Sequence, residues 1–341
     1  MIGLTGIHSF VTDTSQDRNH PRKYLEHVLL TQLLSAWHWK KMNGPIHLYT
    51  TPADAEFLRE MKMLEVYDHV DTEVLAQADN IPWDEFGPVC KMKVASVQKK
   101  FPFAVIDNDL IFRVPLVEND LNSDLTVLHR EVFLNRNYPP LDFLGKREGY
   151  EFPDFLQKKV DPINVGFLIW TNPQLLRDYW SYAYEYMRDN RGASREPEWA
   201  VKGLPKFWKS LFVEQRLLAA LVERDNYQVA TLFPLRYSGD VKIWLDSKGE
   251  VKDFDSVQQE LKVDFYHMWG EKSLFYTLEP PFCGANQIKT LYKLIQTVDA
   301  TGDPVLQEAL EEIILFTIAK THALGLEDLY ELRTAAKYLL K

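Results

Sequence analysis

The sequence predicts an α/β fold: a single mixed, mostly parallel sheet flanked by helices, with a C-terminal helical appendage. Three observations carry this. Up to Met63 the chain alternates short apolar segments with helix-period segments in the order strand, helix, strand, helix. That order implies parallel strands joined by right-handed crossovers. A further helix then leads into the wholly apolar Phe103-Ala104-Val105-Ile106, and beyond Gly284 the pattern is almost entirely helical.

Each element follows from its residues. Ile2-Gly3-Leu4-Thr5-Gly6-Ile7 reads as a short buried strand, followed by a polar loop through Asn19. A long amphipathic helix runs from about Pro21 to Met42, with Leu25, Val28, Leu29, Gln32, Leu33, Ala36 and Trp37 on one face. Pro21 suits its first turn, and Asn43-Gly44-Pro45 ends it. Ile46 to Thr50 is a strand, and Pro52 to Met63 a second helix. Pro88 to Lys100 is a helix, and Phe101-Pro102 separates it from the strand Phe103 to Ile106. The stretch from Asn135 to Pro162, rich in Pro, Gly and charge, reads as a surface excursion. Asn164 to Trp170 is a buried strand, and Asn172-Pro173 starts a helix through about Asp189. Residues 191–206 read as a loop and 209–224 as a helix; Gln228 to Phe233, Val241 to Leu245 and Val263 to His267 are further strands. Asp303-Pro304 starts a helix whose Leu306, Leu310, Ile313, Ile314 and Ala319 share a face. Glu311 and Glu312 interrupt its apolar stripe, so a structural role is expected for it rather than binding to anionic lipid. A boundary near residue 283 divides a catalytic domain, 1–283, from the helical segment 284–341.

Composition removes several classes. With 39 Lys+Arg against 49 Asp+Glu, the net charge of −10 opposes a surface that grips nucleic-acid phosphates. Aromatic residues at 13% argue against disorder. The two cysteines, Cys90 and Cys283, form no CxxC, so neither a disulfide framework nor a thiolate zinc site is expected. The start MIGLTGIHSFVTD is not built as a signal peptide, and no apolar run reaches the roughly 18 residues that span a bilayer. A cytoplasmic protein is the expectation.

The chemistry-bearing residues are few. Asp107-Asn108-Asp109 lies at the carboxyl end of a buried strand, where open α/β sheets bind ligands. In an extended backbone the two carboxylates would share a face and suit a hard divalent cation, Mg²⁺ or Mn²⁺. A polar turn between two strands accounts for the same residues without a ligand. Near the end, Val263 to Lys272 places His267, Gly270 and Lys272 after an apolar strand. Imidazole can ligate Mn²⁺, Gly270 would allow close backbone approach, and Lys272 would neutralise a phosphate. Gly166, within the Asn164 strand, suggests close approach by a ligand or another backbone. Glu214, among apolar neighbours on a helix, could meet a sugar hydroxyl or pair with a surface cation such as Lys209.

Taken in order, these pieces resemble the GT-A class of nucleotide-sugar glycosyltransferases, most closely the bacterial and glycogenin-like retaining enzymes. The resemblance covers about residues 1–280 in element order. Its motifs are Asp-x-Asp, here Asp107-Asn108-Asp109, and His-x-x-Gly-x-x-Lys, here one residue shorter as His267-Met268-Trp269-Gly270-Glu271-Lys272. The resemblance implies a GT-A-like fold and a Mn²⁺ or Mg²⁺ ion held by Asp107, Asp109 and His267 against the diphosphate of a sugar nucleotide, with a UDP-sugar as working donor. It implies that Lys93 faces the donor, with Gly270 and Lys272 beside the diphosphate. Thr5, Gly6, His8 and Ser9 would lie near the nucleobase. Asn164 and Gly166 would line the sugar and acceptor side, and Glu214 would hydrogen-bond the donor sugar or stabilise positive character at the anomeric carbon. The implied acceptor is a glycan, a lipid-linked sugar or a protein.

Rival readings differ in what they require. A Rossmann dehydrogenase needs a GxGxxG after the first strand, and a P-loop enzyme a GxxxxGK[ST]; neither occurs. A sugar nucleotidyltransferase would want a Gly-rich basic loop, whereas Ser9 to His20 has no Gly and only Arg18 as a fixed cation. A non-catalytic glycan- or partner-binding protein on the same fold is the other alternative.

Overall fold

A computed structural model of the chain describes residues 2–11, 25–76, 86, 89–133, 137–193, 204–238, 243–253, 257, 265–267 and 293–323. The N-terminal half alternates as the sequence predicts: β1 (Thr5–Phe10), α1 (Leu25–Met42), β2 (Ile46–Thr50), α2 (Pro52–Glu60), β3 (His69–Asp71) and α3 (Glu73–Ala76). Thr51 starts α2 by accepting a hydrogen bond from the Asp54 amide, with Pro52 in the first turn. Then come α4 (Val89–Ser96), β4 (Phe103–Ile106), β5 (Leu110–Phe112), β6 (Leu125–Val127) and β7 (Arg130–Glu131). The second half holds β8 (Phe167–Trp170), α5 (Pro173–Asp189), α6 (Leu204–Leu211), a π-helical turn (Phe212–Arg216) and α7 (Leu217–Asp225). Next are the short strands β9 (Val229–Thr231), β10 (Arg236–Ser238), β11 (Ile243–Leu245), β12 (Val251–Lys252) and β13 (Phe265–His267). The last helix is α8 (Pro304–Ala323).

Seven strands form the main sheet in the order β3-β2-β1-β4-β8-β6-β9. β3, β2, β1 and β4 run parallel; β8 is antiparallel to both β4 and β6, and β9 is parallel to β6. The expected mixed, mostly parallel sheet flanked by helices is therefore present. Two smaller sheets accompany it, β12-β11-β10-β7 and β13-β5. The chain direction changes between β4 and β8, and the loop after β4 carries Asp107.

Alternating side chains send the central strands into two cores. Phe103, Val105, Leu168 and Trp170 face a core built with α4, α5 and α7. Ala104, Ile106, Phe167 and Ile169 face a second core built with α1, α2 and α8. Leu306, Ala309, Leu310, Ile313 and Ile314 of α8 belong to that second core, and Trp37 of α1 donates to Asp303 just before the helix at 2.9 Å. The expected surface excursion after Asn135 is instead structural over its described part. Tyr138 is buried, and Leu141, Leu144, Phe152 and Leu156 belong to the first core, because Pro and Gly punctuate a segment that also carries core residues.

Candidate functional site

At the end of β4 the backbone leaves the sheet. The Asp107 amide donates to the Gly166 carbonyl at 2.8 Å, tying this end to the residues before β8. The Leu110 amide then donates to the Asp107 carbonyl at 3.0 Å, closing a turn. Asp107-Asn108-Asp109 is thus a turn rather than extended strand, so the alternate-residue argument for a shared face does not apply to it. Asp107 keeps its side chain partly exposed, while Asp109 is buried. Asn108 donates from Nδ2 to the Ser9 carbonyl at 2.9 Å and pins the turn to β1. Its Oδ1 is buried with no hydrogen-bond partner among the described residues.

The cation facing this turn is Lys91. Its Nζ lies 2.8 Å from Asp107 Oδ1, donates to the Val165 carbonyl at 3.1 Å, and contacts Glu214 Oε1. Burial alone would lower the ammonium pKa, but Asp107 and Glu214 outweigh it and hold it above the ordinary lysine value. Lys93, assigned to the donor from the sequence, instead lies 5.7 Å above the Trp180 ring. Two residues apart on a helix means about 200° apart in direction, so only one of the pair can face the sheet end.

Glu214 is buried in the π-helical turn between α6 and α7. Such single π turns inside α-helices recur at functional sites. The turn places Glu214 inside the fold, in contact with Lys91, rather than on the helix surface. Tyr179 of α5 donates to the Glu214 carbonyl at 3.0 Å, and Tyr138 bonds Gln215 through its hydroxyl. Arg216 closes the turn on the preceding segment, donating to the carbonyls of Pro139 at 2.7 Å and Leu156 at 3.1 Å. Burial lowers its guanidinium to about 10.

Asn164 is buried beside this cluster. Its Nδ2 donates to Glu131 Oε1 at 2.9 Å, and its Oδ1 accepts the Gly166 amide at 3.0 Å. Gly166 stands just before β8, not inside it. A relay of hydrogen bonds therefore runs from Glu131 through Asn164 and Gly166 to Asp107. Burial raises the Glu131 carboxyl to about 7, against the pull of the Asn164 amide. Sequence reasoning missed Lys91, Glu131, Tyr179, Tyr138 and Arg216; the only signal for Lys91 was its place two residues before Lys93.

The β1 candidates divide. Thr5 and Ser9 are partly exposed at the two ends of the strand's sequence, with the Ser9 carbonyl spoken for by Asn108. A Cβ on Gly6 would come 2.4 Å from Nε1 of Trp39, so the indole of α1 explains that glycine. His8 is fully buried, with Nδ1 3.0 Å from the Tyr67 hydroxyl and Nε2 3.1 Å from Ser35 Oγ. It faces the core rather than a nucleobase.

β13 pairs antiparallel with β5 and sets His267 in register with Leu110, the residue after Asp109. The His267 side chain lies outside the described residues, as do Gly270 and Lys272. Among the described residues, no group of three or more His, Cys, Asp and Glu is placed to hold a metal ion. No helix among them is long and apolar enough to cross a membrane.

Residues 7–277 match the family described as a family of unknown function, DUF6734. The chain belongs to the DUF6734 family. No curated protein matches the sequence of this DUF6734 chain. Among solved structures, the PaToxG glycosyltransferase matches with a TM-score of 0.35 and 12% identity, covering 66% of this chain and 70% of its own. Mouse xyloside xylosyltransferase 1, in its apo form, matches with a TM-score of 0.35 and 10% identity, covering 67% and 84%. The galactosyltransferase LgtC, in complex with donor and acceptor sugar analogues, matches with a TM-score of 0.35 and 10% identity, covering 67% and 73%.

Proposed function

We propose that this DUF6734 chain is a metal-dependent glycosyltransferase that moves a sugar from a nucleoside-diphosphate sugar to a hydroxyl acceptor. The observation that carries the reading is the buried Lys91, held between Asp107 and Glu214 at the carboxyl end of β4, where the sheet changes direction. A buried cation shared by two carboxylates at such a crevice is the arrangement expected of a site that handles charge.

The residues present fit a hard divalent cation. Asp107 and Asp109 would supply carboxylate oxygens, and Asn108 Oδ1, without a hydrogen-bond partner among the described residues, would add a neutral oxygen. His267, whose backbone is in register with Leu110, would be a further ligand. When bound, Mn²⁺ or Mg²⁺ would neutralise charge developing on the leaving diphosphate. Lys91 fixes the Asp107 and Glu214 carboxylates against each other. Glu214, inside the fold, offsets positive charge at the anomeric carbon. Asn164, braced by Glu131, holds the loop that carries the Gly166 carbonyl and through it the start of the carboxylate turn.

A panel of nucleoside diphosphates with and without Mn²⁺ tests this by thermal shift, with turnover of the corresponding nucleotide sugars as second readout. A rise in melting temperature that requires both components supports the reading. Asp109→Ala and His267→Ala should abolish the rise and lower turnover at least about 100-fold while the fold is retained. Should no nucleoside diphosphate raise the melting temperature, the reading is wrong.

A further inference from the structure

We infer that His8 and Ser35 are positioning residues for the Asp107–Asp109 turn, acting through the Leu110 carbonyl; this rests on the glycosyltransferase reading above. The Ser35 hydroxyl, on α1, donates to the Leu110 carbonyl at 2.5 Å. That spends its only hydrogen, so toward His8 it can only accept, and His8 Nε2 must carry the proton across the 3.1 Å contact. A neutral His8 then has a bare Nδ1, which accepts the Tyr67 hydroxyl at 3.0 Å. The Tyr67 oxygen in turn accepts from Gln32 Nε2 at 2.9 Å. Every proton in the run Gln32, Tyr67, His8, Ser35, Leu110 therefore has one direction.

The run has two consequences at the turn. An imidazolium at His8 would need an acceptor at Nδ1 where a hydroxyl already donates, so the network holds the ring neutral. Burial works the same way and lowers its pKa to about 3, against the pull of Asp107 and Asp109. A neutral ring adds no positive charge beside Asp107 and Asp109. The fixed carbonyl also belongs to the residue that follows Asp109 and stands in register with His267. With the Asn108 link to Ser9, the turn is clamped to β1 and α1 at both its middle and its end.

The test uses the full chain and reads Mn²⁺ affinity, turnover and hydrogen exchange. Ser35→Ala should weaken Mn²⁺ binding by about tenfold, the size of one buried hydrogen bond. It should lower kcat with little change in KM, whereas Ser35→Thr, which keeps the hydroxyl, should restore both. His8→Met should behave like Ser35→Ala, and His8→Gln, which keeps a donor at the Nε2 position, should recover most of the loss. Unchanged Mn²⁺ affinity in folded Ser35→Ala overturns the inference. If Ser35→Ala does not fold, Tyr67→Phe is read the same way. If the wild-type chain binds no Mn²⁺, the functional reading fails, and the clamp is then judged by amide exchange without metal. Leu110 should exchange about tenfold faster in Ser35→Ala, with the β2 amides unchanged. Wild-type exchange at Leu110 in the folded variant sinks the clamp.

Discussion

Lys91 is the residue on which the site's electrostatics turn. It is largely buried, and its two carboxylate partners come from β4's end and from the π turn, far apart in sequence. Removing one partner of a buried charged group leaves the other uncompensated, which typically costs roughly 3–5 kcal/mol. Lys91→Met should therefore lower stability by about that amount in urea titration. Lys91→Met with Glu214→Gln should regain much of it without regaining turnover. Equal stability of the single and double variants would show that the pair is not coupled. Glu131 offers a pH-dependent test. Its carboxyl holds its proton to about pH 7 in the folded chain, against an ordinary value of 4.5. Between those values the unfolded chain binds fewer protons than the native one, so stability falls as pH rises. The full effect is at most about 3 kcal/mol, taking each unit as about 1.36 kcal/mol. Glu131→Gln keeps an acceptor for Asn164 and should flatten this fall; a wild-type slope from pH 4.5 to 7 in the variant would refute it.

At the scale of elements, three local features set where side chains point. The pitch of α4 turns Lys91 toward the sheet end and Lys93 toward Trp180. The π turn after α6 carries Glu214 and Arg216, both buried against different neighbours: Glu214 meets Lys91, and Arg216 meets the carbonyls of Pro139 and Leu156. The third is the seat of α1 on β1. Trp39 lies where a Cβ on Gly6 would be, and its indole Nε1 donates to the Leu4 carbonyl at 3.3 Å. Gly6→Ala must push a rigid ring, at a cost of typically 1–3 kcal/mol for an overpacked core. A matching fall in melting temperature is expected, partly relieved by Trp39→Leu. An unchanged melting temperature for Gly6→Ala would mean that α1 shifts freely. Because α1 also carries Ser35, such a shift would be felt at the Leu110 carbonyl.

At the scale of the molecule, the main sheet separates two cores, and α8 completes one of them. Leu310 and Ile313 are fully buried against the α1 side. Ile313→Ala should cost roughly 2–5 kcal/mol, as large-to-small changes in a packed core do. The melting temperature reports it, and a cost near zero would mean that the helix is only loosely attached.

Much of the fold was legible in the chain. The bounds of β2 and β4 and the start of α5 at Asn172-Pro173 follow from apolar runs, a helix cap and a proline, all of them local. The carboxylates, Asn164, Gly166 and Glu214 were legible as residue types out of place in an apolar setting. What was not legible depended on direction. Helix pitch chose Lys91 over Lys93, a π turn turned Glu214 inward, and a tight turn replaced the extended Asp107-Asn108-Asp109. His8 was expected near a nucleobase, yet its partners Tyr67 and Ser35 come from other elements. Periodicity and side-chain type, both local properties of the chain, set the alternation of elements and the chemical groups available to a site. The tertiary structure alone decided which groups meet, because hydrogen bonds and ion pairs across tens of residues depend on the orientation of each element, which no local pattern encodes.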